Sequence, residues 1–125
     1  MAVQQDEYES VTSPSVISSL LNTMIESGGV TLCLATPDAR PEPVVLMEQH
    51  AGETLVMDLS SVDYLLSRLQ QGEQFFLRGQ SQGKVVRTPL LSLTETRRSG
   101  GRFLCCSNYP SSVEVLQRRE SYRAE

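Results

Sequence analysis

Leu77-Arg-Gly-Gln-Ser-Gln-Gly-Lys-Val-Val-Arg-Thr-Pro89 contains two extended segments separated by a turn. Glu73–Gly79 and Lys84–Arg87 have the apolar and β-branched content of strands, and Ser81-Gln-Gly83 between them is typical of a turn. Pro89 has no backbone N–H, so it indicates a sheet edge or a bulge where the second segment is interrupted. This stretch therefore predicts a β-hairpin.

Two helices are predicted on the N-terminal side of this hairpin. Ser13-Pro14 suits an N-cap followed by a first helical residue, and Gly28-Gly29 suits a helix end. Ser60 or Ser61 is a candidate cap for the second helix, with Asp63 in the acid position of a capping box. We expect these helices near residues 14–27 and 62–71. The first has an apolar stripe at helical spacing, made of Val16, Ile17, Leu20, Leu21, Met24 and Ile25.

Short segments with strand-like composition occur throughout the chain and predict a sheet. The acidic, polar residues 1–12 are expected to form a mobile arm before a domain at 13–116. A small sheet escapes open edges most easily by curling shut, so the predicted fold class is mainly β with two helices, a small antiparallel β-barrel. Strands are expected near residues 30–35, 44–49, 54–59, 74–79, 84–97 and 102–106, with 113–116 short and extended.

The charge distribution bounds the classes of partner. A chain of 125 residues is the length of one domain, and its net charge of −4 argues against a binder of nucleic-acid polymers. Residues 1–75 hold eleven acids and two bases, a net charge of −9, whereas residues 76–125 hold nine bases and four acids, a net charge of +5. This asymmetry suggests two oppositely charged surfaces with different partners. Alternatively, the two parts fold together and their electrostatic fields partly cancel.

No pattern in the sequence indicates a catalytic or metal site, so we expect that the protein is not an enzyme. Cys33, Cys105 and Cys106 lack CxxC spacing, and His50 is the one histidine, which leaves little with which to build a zinc site. Gly79–Lys84 falls one residue short of a P-loop and is better explained as a hairpin. The N-terminus does not resemble a signal peptide, and no apolar run reaches the roughly 20 residues of a membrane span.

The last nine residues, QRRESYRAE, hold three arginines: Arg118, Arg119 and Arg123. Guanidinium groups pair bidentately with phosphate or with the edge of guanine, and they stack on flat rings. Three of them on one short segment suit a guanine nucleotide. The competing interpretation is a solvated basic tail, because charged chain ends are usually disordered.

The arginine segment resembles the opening of a PilZ domain, the bacterial receptor module for cyclic di-GMP. Arg119 and Arg123 match its RxxxR signature, and Arg118 matches a frequent additional arginine. The second PilZ signature, (D/N)xSxxG, is not found in these 125 residues. The preceding domain resembles the N-terminal domain of the YcgR-type flagellar brake family, in the stretches LRGQSQGKVVRTP (77–89) and YPSSVEVL (109–116).

This resemblance implies a split barrel, with residues 117–125 as linker and start of PilZ. It implies that cyclic di-GMP binds Arg118, Arg119 and Arg123 only when the PilZ barrel is present, with no other cofactor. The implied partners are the protein's own PilZ domain, flagellar motor stator or switch proteins, and a possible second copy, in the cytoplasm at the flagellar basal body. The alternative on the same barrel is a flavin-binding oxidoreductase or flavin carrier.

Overall fold

Strands dominate the described part of the chain, which is residues 4–120 of a computed structural model, with side chains described for residues 8–116. The helices are α1 (Pro14–Ser27) and α2 (Leu66–Gln70), and a 3-10 turn (Ser60–Leu65) directly precedes α2. The strands are β1 (Gln4–Val11), β2 (Thr31–Leu34), β3 (Glu42–Pro43), β4 (Val45–His50), β5 (Thr54–Asp58), β6 (Phe75–Ser81), β7 (Lys84–Arg87), β8 (Leu93–Ser99), β9 (Arg102–Asn108) and β10 (Val113–Glu120).

These strands form two antiparallel sheets. The first sheet has six strands in the order β1-β10-β7-β6-β2-β3, and the second has four in the order β4-β5-β9-β8. The predicted fold class, mainly antiparallel β with two helices, is confirmed. In the described residues the strands make two separate sheets and no closed barrel, so the expectation that the sheet curls shut is not met.

The core lies between the sheets and beneath α1. Helix α1 contacts β4 of the second sheet and β6 of the first, so it spans both sheets. Gly79 of β6 lets α1 pack closely against the first sheet, because a Cβ at that position would lie 2.8 Å from Cε of Met24. The fully buried core side chains include Leu21 and Met24 of the helix, Leu32, Leu77 and Val86 of the first sheet, and Leu55, Met57 and Cys105 of the second.

Helix α1 has the bounds that the sequence predicts, because each of its ends has a local cause. Pro14 is the first helical residue, where its missing N–H costs nothing. At the other end Gly28 has a φ of 71°, a conformation that favours glycine, and its N–H donates to the carbonyl of Met24 at 3.0 Å. Ser13 occupies the N-cap position without a side-chain capping bond.

The second helix differs from its prediction in length and in capping. Regular α-helix covers only Leu66–Gln70, because Val62 has non-helical angles (φ −133°, ψ 41°) that break the run. Neither serine caps the turn through its side chain. Instead the carboxylate of Asp58 accepts the backbone N–H of Ser60 at 2.8 Å and its hydroxyl at 2.6 Å. The expected box with Asp63 is wrong, since a strand residue supplies the acceptor.

The predicted extended run at 84–97 is two strands in different sheets. Lys84–Arg87 belongs to the first sheet, and Leu93–Ser99 belongs to the second. Pro89, which cannot donate to a ladder, lies where the chain leaves the first sheet. Leu91 and Phe75 then exchange two backbone hydrogen bonds, at 2.6 and 3.0 Å, which hold the crossing segment against β6.

The N-terminal segment also differs from expectation. Residues 1–12 are predicted to be an arm, but Gln4–Val11 forms β1 and pairs with the whole of β10. The extended segment expected at 113–116 likewise continues to Glu120. The two-residue strand β3 was not predicted at all. The domain bounds at 13–116 and the linker at 117–125 remain predictions.

Candidate functional site

The candidate arginine segment begins where β10 loses one of its two neighbours. Strand β7 pairs with β10 only at Glu114–Leu116, whereas β1 pairs with β10 from Val113 to Glu120. Gln117–Glu120 is therefore paired on one side only, with Gln4–Glu7. We call these two paired segments the ribbon. It extends past β7, and it contains the first two of the three candidate arginines.

The ladder fixes the backbone position of Arg118 and Arg119. Arg118 lies opposite Asp6, and Arg119 lies opposite Gln5. Successive positions of a strand belong to opposite faces of its sheet. Arg118 therefore shares a face with Glu114 and Leu116, and Arg119 shares the face of Val113 and Val115. Side chains are not described beyond residue 116, and Arg123 lies outside the described residues. The three arginines remain predicted ligand-binding residues.

A cluster of three described side chains lies at the base of the ribbon. Arg87 of β7 donates from Nε to the Glu114 carboxylate of β10 at 3.1 Å, and its Nη2 donates to the same oxygen. The Arg87 guanidinium carbon also lies 3.9 Å from the centre of the Tyr8 ring of β1. We call these residues the three-strand tie. It joins β10 to its two neighbours in the described sheet, β1 and β7.

The outer face of the first sheet, on the side of Arg87, carries a second arginine. Arg78 of β6 lies directly opposite Arg87 in the ladder. Unlike Arg87, Arg78 forms no ion pair or hydrogen bond through its side chain within the described residues. Burial raises the pKa of the nearby Cys33 thiol, and Arg78 partly opposes that rise. The same face also carries Cys33, Phe76, Val85 and Leu116, together with the polar residues Thr31 and Gln80.

A cleft of about 380 Å³ lies between the start of α1 and the loop before β10. Beside it, the hydroxyl of Tyr109 donates to Oε1 of Gln49 at 2.6 Å, and Nε2 of Gln49 donates to the hydroxyl of Ser18 on α1 at 2.8 Å. Burial raises the pKa of Tyr109. The polar groups beside the cleft are thus satisfied by one another. The lining is mostly apolar and consists of Pro14, Ile17, Ala51, Gly52, Tyr109, Pro110 and Ser111.

A second cleft, of about 510 Å³, lies on the outer side of the second sheet. Arg97 is its one permanently cationic side chain, and it lies 3.8 Å from the carboxylate of Glu95. His50 is paired with Glu48 at 2.8 Å. A flavin phosphate here would meet the carboxylate of Glu95 beside Arg97, and the first cleft has no arginine or lysine in its lining. Nothing in these clefts favours the flavin alternative.

The described residues contain no group of three or more His, Cys, Asp or Glu side chains placed to hold a metal ion. The three cysteines are unbridged and buried. Burial raises the pKa of Cys105 to about 11, so this thiol is held in its unreactive protonated form. No helix in residues 4–120 has both the length and the apolar character needed to cross a membrane.

This geometry defines a class of domain that has two antiparallel sheets and one helix spanning both. Among solved structures, the chain is similar to the crystal structure of YcgR in complex with c-di-GMP from Escherichia coli, with a TM-score of 0.68 and 16% sequence identity. The match covers 88% of this chain but 47% of the other, so the chain spans about half the length of that protein. At this identity the likeness shows a YcgR-like fold.

Comparisons of sequence alone identify no family for the chain. No protein-family model matches the chain, and none of the curated proteins matches it either. The resemblance noted in the sequence is therefore supported at the level of the fold. The three-strand tie was missed from the sequence, because its members lie on strands that are far apart in the chain. Its one signal in the sequence is Arg87 itself, which follows Val85 and Val86 at the end of the predicted strand.

Proposed function

We propose that this chain is the regulatory, non-enzymatic N-terminal module of a cyclic di-GMP receptor of the flagellar brake type. The observation that carries the proposal is the fold likeness to YcgR, a protein whose structure was solved with c-di-GMP. The arginine segment supports it, because RxxxR follows this fold at the end of its last described strand.

In this proposal Arg119 and Arg123 bind the dinucleotide together with a PilZ barrel that follows the chain. The ligand carries two phosphates and two guanines, which are the groups that a planar guanidinium recognises bidentately or by stacking. Arg118 contributes a further contact. Because Arg118 and Arg119 occupy opposite faces of β10, an extended strand would present them to different sides of the ligand-binding region.

Ligand binding would then change how the two domains are oriented. A ligand shifts such an equilibrium only by its differential affinity for the two arrangements. A short ribbon between the domains provides that difference, because its arginines reach the ligand in one arrangement and not in the other. The reoriented module would present a surface to flagellar stator or switch proteins at the basal body, as a monomer or as a homodimer.

Calorimetry with cyclic di-GMP tests the ligand-binding part of the proposal. The full-length protein should bind, whereas the 125-residue chain should bind weakly or not at all, because its arginines lack the PilZ wall and must be immobilised at about 0.5–1.5 kcal/mol each. Sub-micromolar binding by the isolated chain would contradict this division of the site. Failure of the full-length protein to bind would remove the proposed function.

Swimming assays test the motility part. Arg119→Ala in the full-length protein should restore swimming that the wild type slows at high cyclic di-GMP. Arg40→Ala is the matched control, since Arg40 is exposed and precedes β3, at the edge of the first sheet opposite to β1. Equal effects of the two variants would indicate a general loss of positive charge.

A further inference from the structure

The ribbon that carries Arg118 and Arg119 cannot be stable through its own pairing. Two strands alone are marginal in water, and three or more are needed for independent stability. Past Leu116 the described part of β10 has only β1 as a neighbour. The order of the ribbon therefore depends on how firmly β1 and β10 are held together where the third strand ends.

The three-strand tie lies at that point. Arg87 comes from β7, the last strand to flank β10, and it bonds Glu114 on β10 through two nitrogens. The same guanidinium stacks on Tyr8 of the edge strand β1. Tyr8 lies opposite Leu116 in the ladder, two positions before Arg118. One side chain thus fastens both strands of the ribbon to the body of the sheet.

An ordinary surface ion pair is the simpler interpretation of Arg87. Such pairs contribute little by themselves. Arg87, however, uses its Nε, its Nη2 and its flat face at once, toward two different strands, and its side chain is only 34% exposed. Loss of the side chain would release β1 and β10 together. That geometric role is different from a contribution of charge, which Arg78 also supplies on the same face.

We propose that Arg87, through Glu114 and Tyr8, is the positioning residue of the arginine strand. The consequence for cyclic di-GMP rests on the proposed function. With the tie intact, the part of β10 that carries Arg118 and Arg119 extends past β7 in one fixed direction. Without it the ribbon frays, and the ligand must order the segment before binding it.

Amide hydrogen exchange of the ligand-free protein tests the positioning role directly. In Arg87→Ala, peptides covering residues 4–11 and 113–120 should exchange about three- to tenfold faster, while peptides from β5 and β9 stay unchanged. Arg78→Ala removes the same charge from the facing position and should leave all of these peptides unchanged. Equal effects of the two variants, or unchanged exchange in Arg87→Ala, would overturn the proposal.

Conservative variants separate geometry from charge. Tyr8→Phe keeps the ring under the guanidinium and should behave like the wild type, whereas Tyr8→Leu should accelerate exchange of the ribbon. Arg87→Lys keeps the charge but loses the fork and the flat face, so it should resemble Arg87→Ala. Full rescue by lysine would reduce the tie to an electrostatic effect and would refute the positioning role.

Measurements of ligand binding test the functional consequence of the tie. Cyclic di-GMP should bind Arg87→Ala of the full-length protein about three- to tenfold more weakly than the wild type, and it should bind Arg78→Ala within about twofold. Tighter binding to Arg87→Ala would show that the tie restrains the arginines instead of presenting them. If the wild type does not bind, the proposed function fails, and the exchange measurements still decide whether Arg87 positions the strand.

Discussion

The two halves of β10 have the same conformation but very different surroundings. In the first half, Val113–Leu116, the last three residues lie between β1 and β7, and the apolar side chains Val113, Val115 and Leu116 are 0%, 5% and 7% exposed. Gln117–Glu120 pairs with β1 alone, and two of its four residues are arginines. The first half is part of the core, and the second half is the base of the proposed ligand-binding segment.

This difference separates stability from binding along one strand. Changes beside the first half should alter the free energy of unfolding, because buried area is lost there. Changes in the second half should alter ligand binding with little effect on unfolding. Each prediction below tests one side of that division.

The largest effect on stability is expected in the core, on β6, which is the neighbour of β7 in the first sheet. Leu77→Ala removes a fully buried side chain from β6 and should lower the free energy of unfolding by about 2–5 kcal/mol, through lost burial and a cavity. Urea denaturation measures this. Leu90→Ala is the matched control, because Leu90 is 48% exposed and the same truncation should cost little there. Similar losses in both variants would mean that Leu77 is not the core residue described here.

The next effect is on binding and distinguishes the arginines from one another. In the full-length protein, Arg119→Ala should weaken cyclic di-GMP binding by more than about tenfold, a loss that persists at high salt because the contact is a directional hydrogen bond. Arg123→Ala should do the same. Arg118→Ala should have a smaller effect that diminishes with salt, as expected for attraction screened beyond about 8–10 Å.

Calorimetry at two salt concentrations, paired with urea denaturation, checks this prediction. The three alanine variants should keep their free energies of unfolding within about 0.5 kcal/mol of the wild type. A solvated basic tail would instead tolerate all three changes with unchanged binding. Loss of stability in Arg119→Ala would show that the second half of β10 belongs to the core after all.

A smaller effect is expected at the end of α1, far from the ribbon in the sequence. Gly28 has a φ of 71°, and a Cβ there meets no neighbouring atom within 4 Å. Gly28→Ala should therefore cost about 1–3 kcal/mol from backbone strain alone, because φ 71° with ψ −164° is a conformation that is essentially restricted to glycine. Thermal and urea unfolding measure it, with Ser27→Ala as a control one residue earlier. An unchanged midpoint would show that the backbone relaxes at this cap.

Much of the fold could be predicted because its causes are local. Helix α1 has a proline at one end, glycine at the other and an apolar stripe between, so its bounds followed from the sequence. The hairpin of β6 and β7 was predicted for similar reasons. The division of residues 84–97 between two sheets could not be predicted, because both halves are extended and the change of sheet depends on partners distant in the chain.

The candidate site was less accessible to sequence reasoning. The chemistry of guanidinium groups indicated a nucleotide, but the assignment of Arg119 and Arg123 came from a resemblance. Strand β1 was missed because its polar, acidic composition has no strand signal of its own, and its pairing is provided by β10. The acceptor for the turn at Ser60 was missed for the same reason, since Asp58 comes from a strand and not from the turn itself.

The smallest predicted effect concerns that acceptor, in the sheet opposite to the ribbon. Hydrogen bonds from the Ser60 hydroxyl and backbone N–H, with help from Arg102, lower the pKa of Asp58 in the folded protein. A lowered folded pKa stabilises the fold above the unfolded pKa of about 3.9, and this stabilisation is lost as pH falls through the folded value. Asp58→Asn keeps one acceptor and should cost less than about 1 kcal/mol at neutral pH.

Urea denaturation of wild type and Asp58→Asn between neutral pH and pH 3 measures the prediction. The two free energies of unfolding should converge as pH falls below about 4, because the protonated carboxyl of the wild type loses the same advantage. Asp63→Asn, on the adjoining turn, makes the same chemical change where the side chain forms no hydrogen bond within residues 8–116, and it is the control for the substitution itself at neutral pH. A gap for Asp58→Asn that widens in acid would reverse the sign and refute the role of Asp58 as the charged acceptor. Because Asp58 lies on β5 whereas Arg118 and Arg119 lie on β10, cyclic di-GMP binding by the full-length Asp58→Asn protein should be unchanged at neutral pH, which separates this stabilising contact from the proposed ligand-binding half of β10.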